Sequence, residues 1–112
     1  MNDILKQIHD LLVAQVDALS NAIDQTDDTD AAKQLLLEMD EVTHRINIIQ
    51  SLLFREASSE LDAYLNQIKK ANQSLTNAIN SIKSVSDIIQ KTTTFLTYVD
   101  KAIDLAKTLA VI

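Results

Sequence analysis

LDAYLNQIKKANQSLTNAINSIKSVSDIIQKTTTFLTYVDKAIDLAKTLA, residues 61–110, is the stretch on which the fold turns. Along it Leu61, Ile68, Leu75, Ile82, Ile89, Leu96 and Ile103 recur every seven residues. Between them Tyr64, Ala71, Ala78, Val85, Thr92, Val99 and Ala106 also recur every seven. Seven residues nearly complete two helical turns, so this spacing lays one apolar stripe along a helix. From Ile88 onward a third apolar position joins each heptad, at Ile88, Phe95, Ala102 and Leu109. Two positions per heptad suit a single neighbour; three call for neighbours on two sides. The pattern predicts an all-α, antiparallel helical bundle.

The rest of the composition agrees. The 112 residues contain no Gly, Pro, Cys or Trp, and only 4% are aromatic. Tight hairpins usually need Gly or Asn at positive φ, so a chain without Gly or Pro is most simply a set of long helices joined by short polar links. The core has to be aliphatic. Without Cys there is no disulfide framework, thiolate metal site or Cys nucleophile. A chain of this length fits a single helical-bundle domain over residues 1–112.

Upstream of the repeat, residues 3–24 read as a first helix with Leu5, Ile8, Leu12, Val16, Leu19 and Ile23 on one face. Asp3, Asp10, Asp17 and Asp24 fall seven apart on the other, an acidic ridge that is either a solvated face or a docking strip for a basic partner helix. Gln25–Asp30 is the clearest break, because Asp and Thr favour caps and turns. Its aspartates do not make an EF-hand loop, which needs a Gly and a terminal Glu.

A second helix begins near Ala31, and its stripe is Leu35, Met39, Val42, Ile46, Ile49 and Leu53, widened by Leu36, Ile48, Leu52 and Phe54. From Leu53 through Ala57 to Leu61 the spacing is four and four, which reads as a stutter in one helix or as a new start capped by Ser58 or Ser59. Two further breaks have chemistry: Lys69–Ser74, with Asn72 and Ser74, and the β-branched run Thr92–Thr94. The preferred reading is three long helices near 3–24, 30–70 and 74–111, the last two forming a long hairpin. A four-helix bundle, broken near 58 and 93, is the alternative. In the three-helix reading the hairpin arms measure about 57–62 Å and the first helix roughly 33 Å, at 1.5 Å per residue. The first helix then leaves Ile88, Phe95, Ala102 and Leu109 uncovered, and these four become the expected interface of a homodimer.

No catalytic or cofactor motif interrupts this reading: there is no Gly-rich phosphate loop, no nucleophile elbow and no His-Glu-x-x-His. Glu41-Val42-Thr43-His44 matches half of a carboxylate–histidine metal motif. The only other histidine, His9, has no Glu three residues before it, so no metal and no cofactor are expected. Tyr64 and Tyr98 read as bundle residues with their hydroxyls at the solvent edge. Asn72-Gln73-Ser74 matches a glycosylation acceptor, with no signal segment to give it meaning.

Net charge is −6 and uneven: residues 1–56 hold eleven acids against four bases, residues 57–112 five acids against six lysines. That balance disfavours nucleic acid. No apolar run approaches the roughly 20 residues of a membrane span, and the start lacks a basic-then-apolar leader, so the expected setting is the cytoplasm. The functional expectation is a non-enzymatic helical interaction or assembly module that self-associates or binds another helical protein. The alternative is a secreted or membrane-acting protein whose amphipathic segment Ile88–Ile112 lies on lipid. Against that alternative, the segment mixes Lys91, Lys101 and Lys107 with Asp100 and Asp104, where surface-binding helices are usually basic.

Overall fold

Each helix begins where a short polar side chain can accept from the free amides of the first turn. The computed structural model of the chain describes residues 1–81 and 84–111. Asn2 caps α1 (Asp3–Gln25), its Oδ1 accepting from the amides of Ile4 and Leu5 at 3.0 and 3.1 Å. Asp28 caps α2 (Thr29–Gln50) through the amides of Asp30 and Ala31. Ser58 caps α3 (Ser59–Asn80) and Ser84 caps α4 (Val85–Ala106), each with one hydroxyl. Acidic residues sit in every first turn, where they complement the positive helix end.

The other ends close without glycine. Ser51 Oγ donates to the Ile48 carbonyl, Ser81 Oγ to Asn77 and Thr108 Oγ1 to Leu105. Each hydroxyl adds a second donor to a carbonyl that also accepts a backbone amide of the closing turn, from Ser51, Ser81 and Thr108 in that order.

The first helix and the break over 26–28 lie where the sequence puts them. The long helices expected over 30–70 and 74–111 do not form. Helix α2 stops at Gln50 and the chain re-enters helix only at Ser59, close to the break near 58 of the alternative reading. The expected break at Lys69–Ser74 lies inside α3, because Ala71 and Leu75 are buried and tertiary packing overrides a local stop signal. The Thr92–Thr94 run likewise lies inside α4. Its hydroxyls donate to the carbonyls four residues back, at Ile88, Ile89 and Gln90, and burial of Thr92, Phe95 and Leu96 outweighs the weak helix preference of the run. The division falls instead between Asn80 and Val85. Ile82, a member of the repeat, lies outside the described residues, as does Ile112.

The four helices of the described residues pack in pairs. Helices α1 and α2 form one antiparallel hairpin and α3 and α4 a second, and these two seams are the most extensive. The hairpins then meet through α1 on α3 and α2 on α4. Helices α2 and α3, consecutive in the chain, therefore stand at opposite corners, and residues 51–58 cross the end of the bundle to join them. The molecule measures 47 × 21 × 17 Å with a radius of gyration of 14.4 Å, so no arm of about 57–62 Å exists.

The core is aliphatic, with Leu5, Ile8, Leu12, Leu35, Val42, Leu61, Leu65, Leu75 and Val99 among its members. Helix α4 contributes most, eight buried residues against four from α2. The four residues of the expected dimer interface face inward in the single chain. Ile88, Phe95 and Ala102 are buried in the chain's own core, and Leu109 is half-buried against it. The third apolar position does want a second neighbour, and the fold supplies it from the same chain.

The crossing segment is held at both sides. The Asn2 amide donates to the Leu53 carbonyl at 2.7 Å, and Asn2 Nδ2 donates to the carbonyls of Arg55 and Glu56. Arg55 Nη1 donates to the carbonyls of Lys107 and Leu109, the Glu56 amide donates to Ala110, and Arg55 forms an antiparallel bridge with Val111.

Candidate functional site

The half-motif Glu41/His44 lies on α2 with both side chains exposed. Its carboxylate is engaged by Arg45, which also reaches across to α4. Arg45 Nε and Nη2 meet the two Asp100 oxygens at 3.0 and 3.1 Å, a two-pronged fork, while Nη1 donates to Glu41. The hydrogen bond to Asp100 is the main influence raising the Arg45 pKa above its ordinary value. This is a pin between α2 and α4, half-screened from water. Among the described residues no group of three or more His, Asp or Glu is placed to hold a metal ion. His9 instead takes a hydrogen bond from Gln50 Nε2 at 3.4 Å, across the α1–α2 seam.

A second polar contact joins the hairpins. Gln15, 1% exposed, sits in the apolar stripe of α1 and donates from Nε2 to Thr76 Oγ1 at 3.0 Å and to Asn72 Oδ1 on α3. Its Oε1 is buried without a partner among the described residues. Both seams between the hairpins thus contain polar groups, Gln15 in one and Arg45–Asp100 in the other.

Two surfaces are more apolar than a solvated face needs to be. The first runs along the outer seam of α1 and α2. Gln50 faces His9, so the α2 stripe Leu36–Met39–Thr43–Ile46–Gln50 and the α1 stripe His9–Val13–Val16–Ser20 look toward the same seam. Leu36 is 46% exposed and Val13 38%, with Val16 and Met39 half-buried between them. Asp10 and Asp17 border this strip on α1 and Asp40 borders it on α2, all three exposed. Asp10 is near Lys6 at 3.7 Å; Asp17 and Asp40 form no ion pair among the described residues. The acidic ridge read from the sequence therefore lies beside an apolar groove.

The second surface is the end where the connector crosses: Met1 is 62%, Phe54 62% and Val111 67% exposed. At the opposite end, the helix termini enclose a cleft of about 560 Å³ lined by Ala22, Leu35, Ile79, Val85 and Ile88 with the amides of Asn21, Gln25 and Asn80. No charged side chain among the described residues lines this cleft.

The sequence points to the acidic ridge but not to Val13 and Leu36 as exposed residues. Nor does it single out Asn2 and Gln15. Asn2 has a signal, as the cap residue immediately before the first apolar-periodic stretch; Gln15 is the one polar residue among the buried residues of α1. No protein-family model, curated protein or solved structure matches this chain.

Proposed function

We propose that this chain is a non-enzymatic interaction module whose outer α1–α2 seam docks a basic amphipathic helix of another protein. The observation that carries the reading is the apolar strip Val13–Val16–Met39–Leu36 bordered on both sides by carboxylates. A helix lying in that groove would place aliphatic side chains on the strip and lysines or arginines against Asp10, Asp17 and Asp40. The eleven acids of residues 1–56 favour the same partner at longer range, by steering a cationic segment toward this hairpin. The same field repels nucleic acid. A role on lipid draws less support, since the apolar strips of α4 are occupied by the core and no helix among the described residues is long and apolar enough to cross a membrane.

The test uses two synthetic amphipathic helices of one pattern, Leu on one face and either Lys or Glu on the other, titrated by fluorescence anisotropy. The Leu/Lys peptide should bind, the Leu/Glu peptide should not, and Leu36→Ser with Val13→Ser should weaken binding about tenfold or more, as expected for losing two central apolar anchors. Equal binding of both peptides, or of neither, removes the proposal.

A further inference from the structure

We infer that a second copy of this chain can take over the packing between hairpins, so that two chains exchange α3–α4 hairpins and the connector straightens into one helix running from α2 into α3. This goes beyond helix docking and does not depend on it, because it uses the seams between the hairpins and leaves the outer α1–α2 groove free.

Three independent observations support it. The first is in the connector. Residues 51–58 contain no Gly or Pro, and Ile49, Leu53, Ala57 and Leu61 stay four apart, so nothing local forbids a continuous helix. What bends the chain is a set of specific ties: the Ser58 cap, the bonds from Asn2, and the bonds of Arg55 and Glu56 to the 107–111 tail. The bend is imposed by tertiary packing, not required by sequence.

The second observation is the topology. Helices α2 and α3 occupy opposite corners of the bundle, and the more extensive seams are those inside each hairpin. The hairpins can separate as intact units. The seams they break are those that hold Gln15, with its unpartnered Oε1, and the Arg45–Asp100 pin. The packing given up when one chain opens is formed again against the hairpin of the other copy, which is why such exchange costs little once two copies meet.

The third is what exchange would cover. With the connectors straight, two bundles stand end to end, joined at the connector end by two antiparallel helices about 78 Å long at 1.5 Å per residue over 29–80. That end carries the exposed Met1, Phe54 and Val111. In the single chain these side chains face water; in the exchanged pair they lie at the junction of the two bundles.

The experiment exploits the absence of Cys. A Lys33→Cys, Ser74→Cys chain, both positions exposed, is spin-labelled and refolded at high concentration with an excess of unlabelled chain. The dimer peak from light scattering is then measured by pulsed electron spin resonance. Within one bundle the labels are separated by a distance set by the 21 × 17 Å cross-section; in an exchanged pair the same chain holds them about 62 Å apart, 41 residues along one helix. The long distance is the expected result.

A second arm tests the bend itself. Ser58→Ala removes one cap from the bent form of each chain and should raise the dimerisation constant roughly 25-fold, the square of the about fivefold factor one N-cap carries. Ala57→Pro should abolish the dimer, since Pro interrupts the straight helix, while the Ala57 amide bonds no acceptor among the described residues of the bent form. A monomer mass for both the wild type and Ser58→Ala overturns the inference. So does a dimer in which the intrachain distance stays short, which would be an end-to-end pair through Phe54 without exchange.

Discussion

Helices α2 and α4 lie side by side, each with 22 residues, and use their inward faces differently. The stripe of α4 reads Ile88, Thr92, Phe95, Val99, Ala102 and Ala106, all buried, and its one polar member returns its hydroxyl to the Ile88 carbonyl. The stripe of α2 reads Leu35, Glu38, Val42, Arg45 and Ile49, with a carboxylate and a guanidinium in the sequence of inward positions. Aliphatic α4 is wrapped by neighbours on two sides. Helix α2 keeps its inward polar groups at the edge of the core and leaves Leu36 and Leu37 on the surface. Both helices pack on two neighbours, but α4 fills its inward face with apolar side chains while α2 mixes polar ones into its own, and the difference shows every three or four residues.

The largest effect that can break this comparison comes from truncating each helix in turn. Phe95→Ala, in the α4 stripe with 0% exposure, should cost about 3–5 kcal/mol in denaturant unfolding. Leu36→Ala on α2 should stay within about 0.5 kcal/mol of wild type. Comparable losses at the two sites would mean that the outer side of α2 is packed and not displayed.

A smaller loss sharpens the picture of α2. Arg45→Ala removes a two-pronged bond to Asp100 and should cost about 1–2 kcal/mol, below the value for a fully buried charged bond because Asp100 is half in water. Arg45→Lys should recover little of it, since an ammonium cannot span both carboxylate oxygens. Full recovery by Lys would reduce the pin to a plain charge attraction.

The smallest effect concerns Glu38. Burial, and then the neighbouring Glu41 carboxylate, raise its pKa above the ordinary carboxylate value, with Arg45 pulling partly back. The folded chain then holds the Glu38 proton more tightly than the unfolded chain, so stability falls as pH rises from the ordinary value through the raised one. Glu38→Gln should accordingly be more stable than wild type at neutral pH by roughly 0.5 kcal/mol or less, since solvent screens a group this exposed. Thermal melts should show the advantage vanish on the acid side of the carboxylate range. An advantage unchanged at low pH would point to packing and not to charge.

Much of the fold is legible in the sequence. The repeat over 61–110 marks the inward faces of the helices, and QTDDTD marks the first turn. The division at Ser58 is legible only as one of two readings and the one before Val85 not at all, for a physical reason: a chain without Gly or Pro marks its helix starts with single hydroxyls, and Ser58 and Ser84 look no different from Ser74. Asn72, a stop signal by sequence, is spent on Gln15 across the α1–α3 seam. The third apolar strip of α4 does need cover, but a sequence cannot say whether cover comes from the same chain. For the candidate surface, the acidic ridge is visible. The exposure of Val13 and Leu36 is not, since it depends on which seam each helix closes.

Asn2 has a consequence in time. One side chain caps α1 and grips two carbonyls of the connector, while the neighbouring Arg55 and Glu56 grip the 107–111 tail, so three distant parts of the chain are tied at a single end. The opposite end has the break over 26–28, the end of α3 at Asn80, the start of α4 at Val85, and a cleft. Opening motions should therefore start at the cleft end and travel toward Asn2. Amide hydrogens along α1 and α3 should exchange in a gradient, fastest near Gln25 and Asn80 and slowest near Leu5 and Leu61.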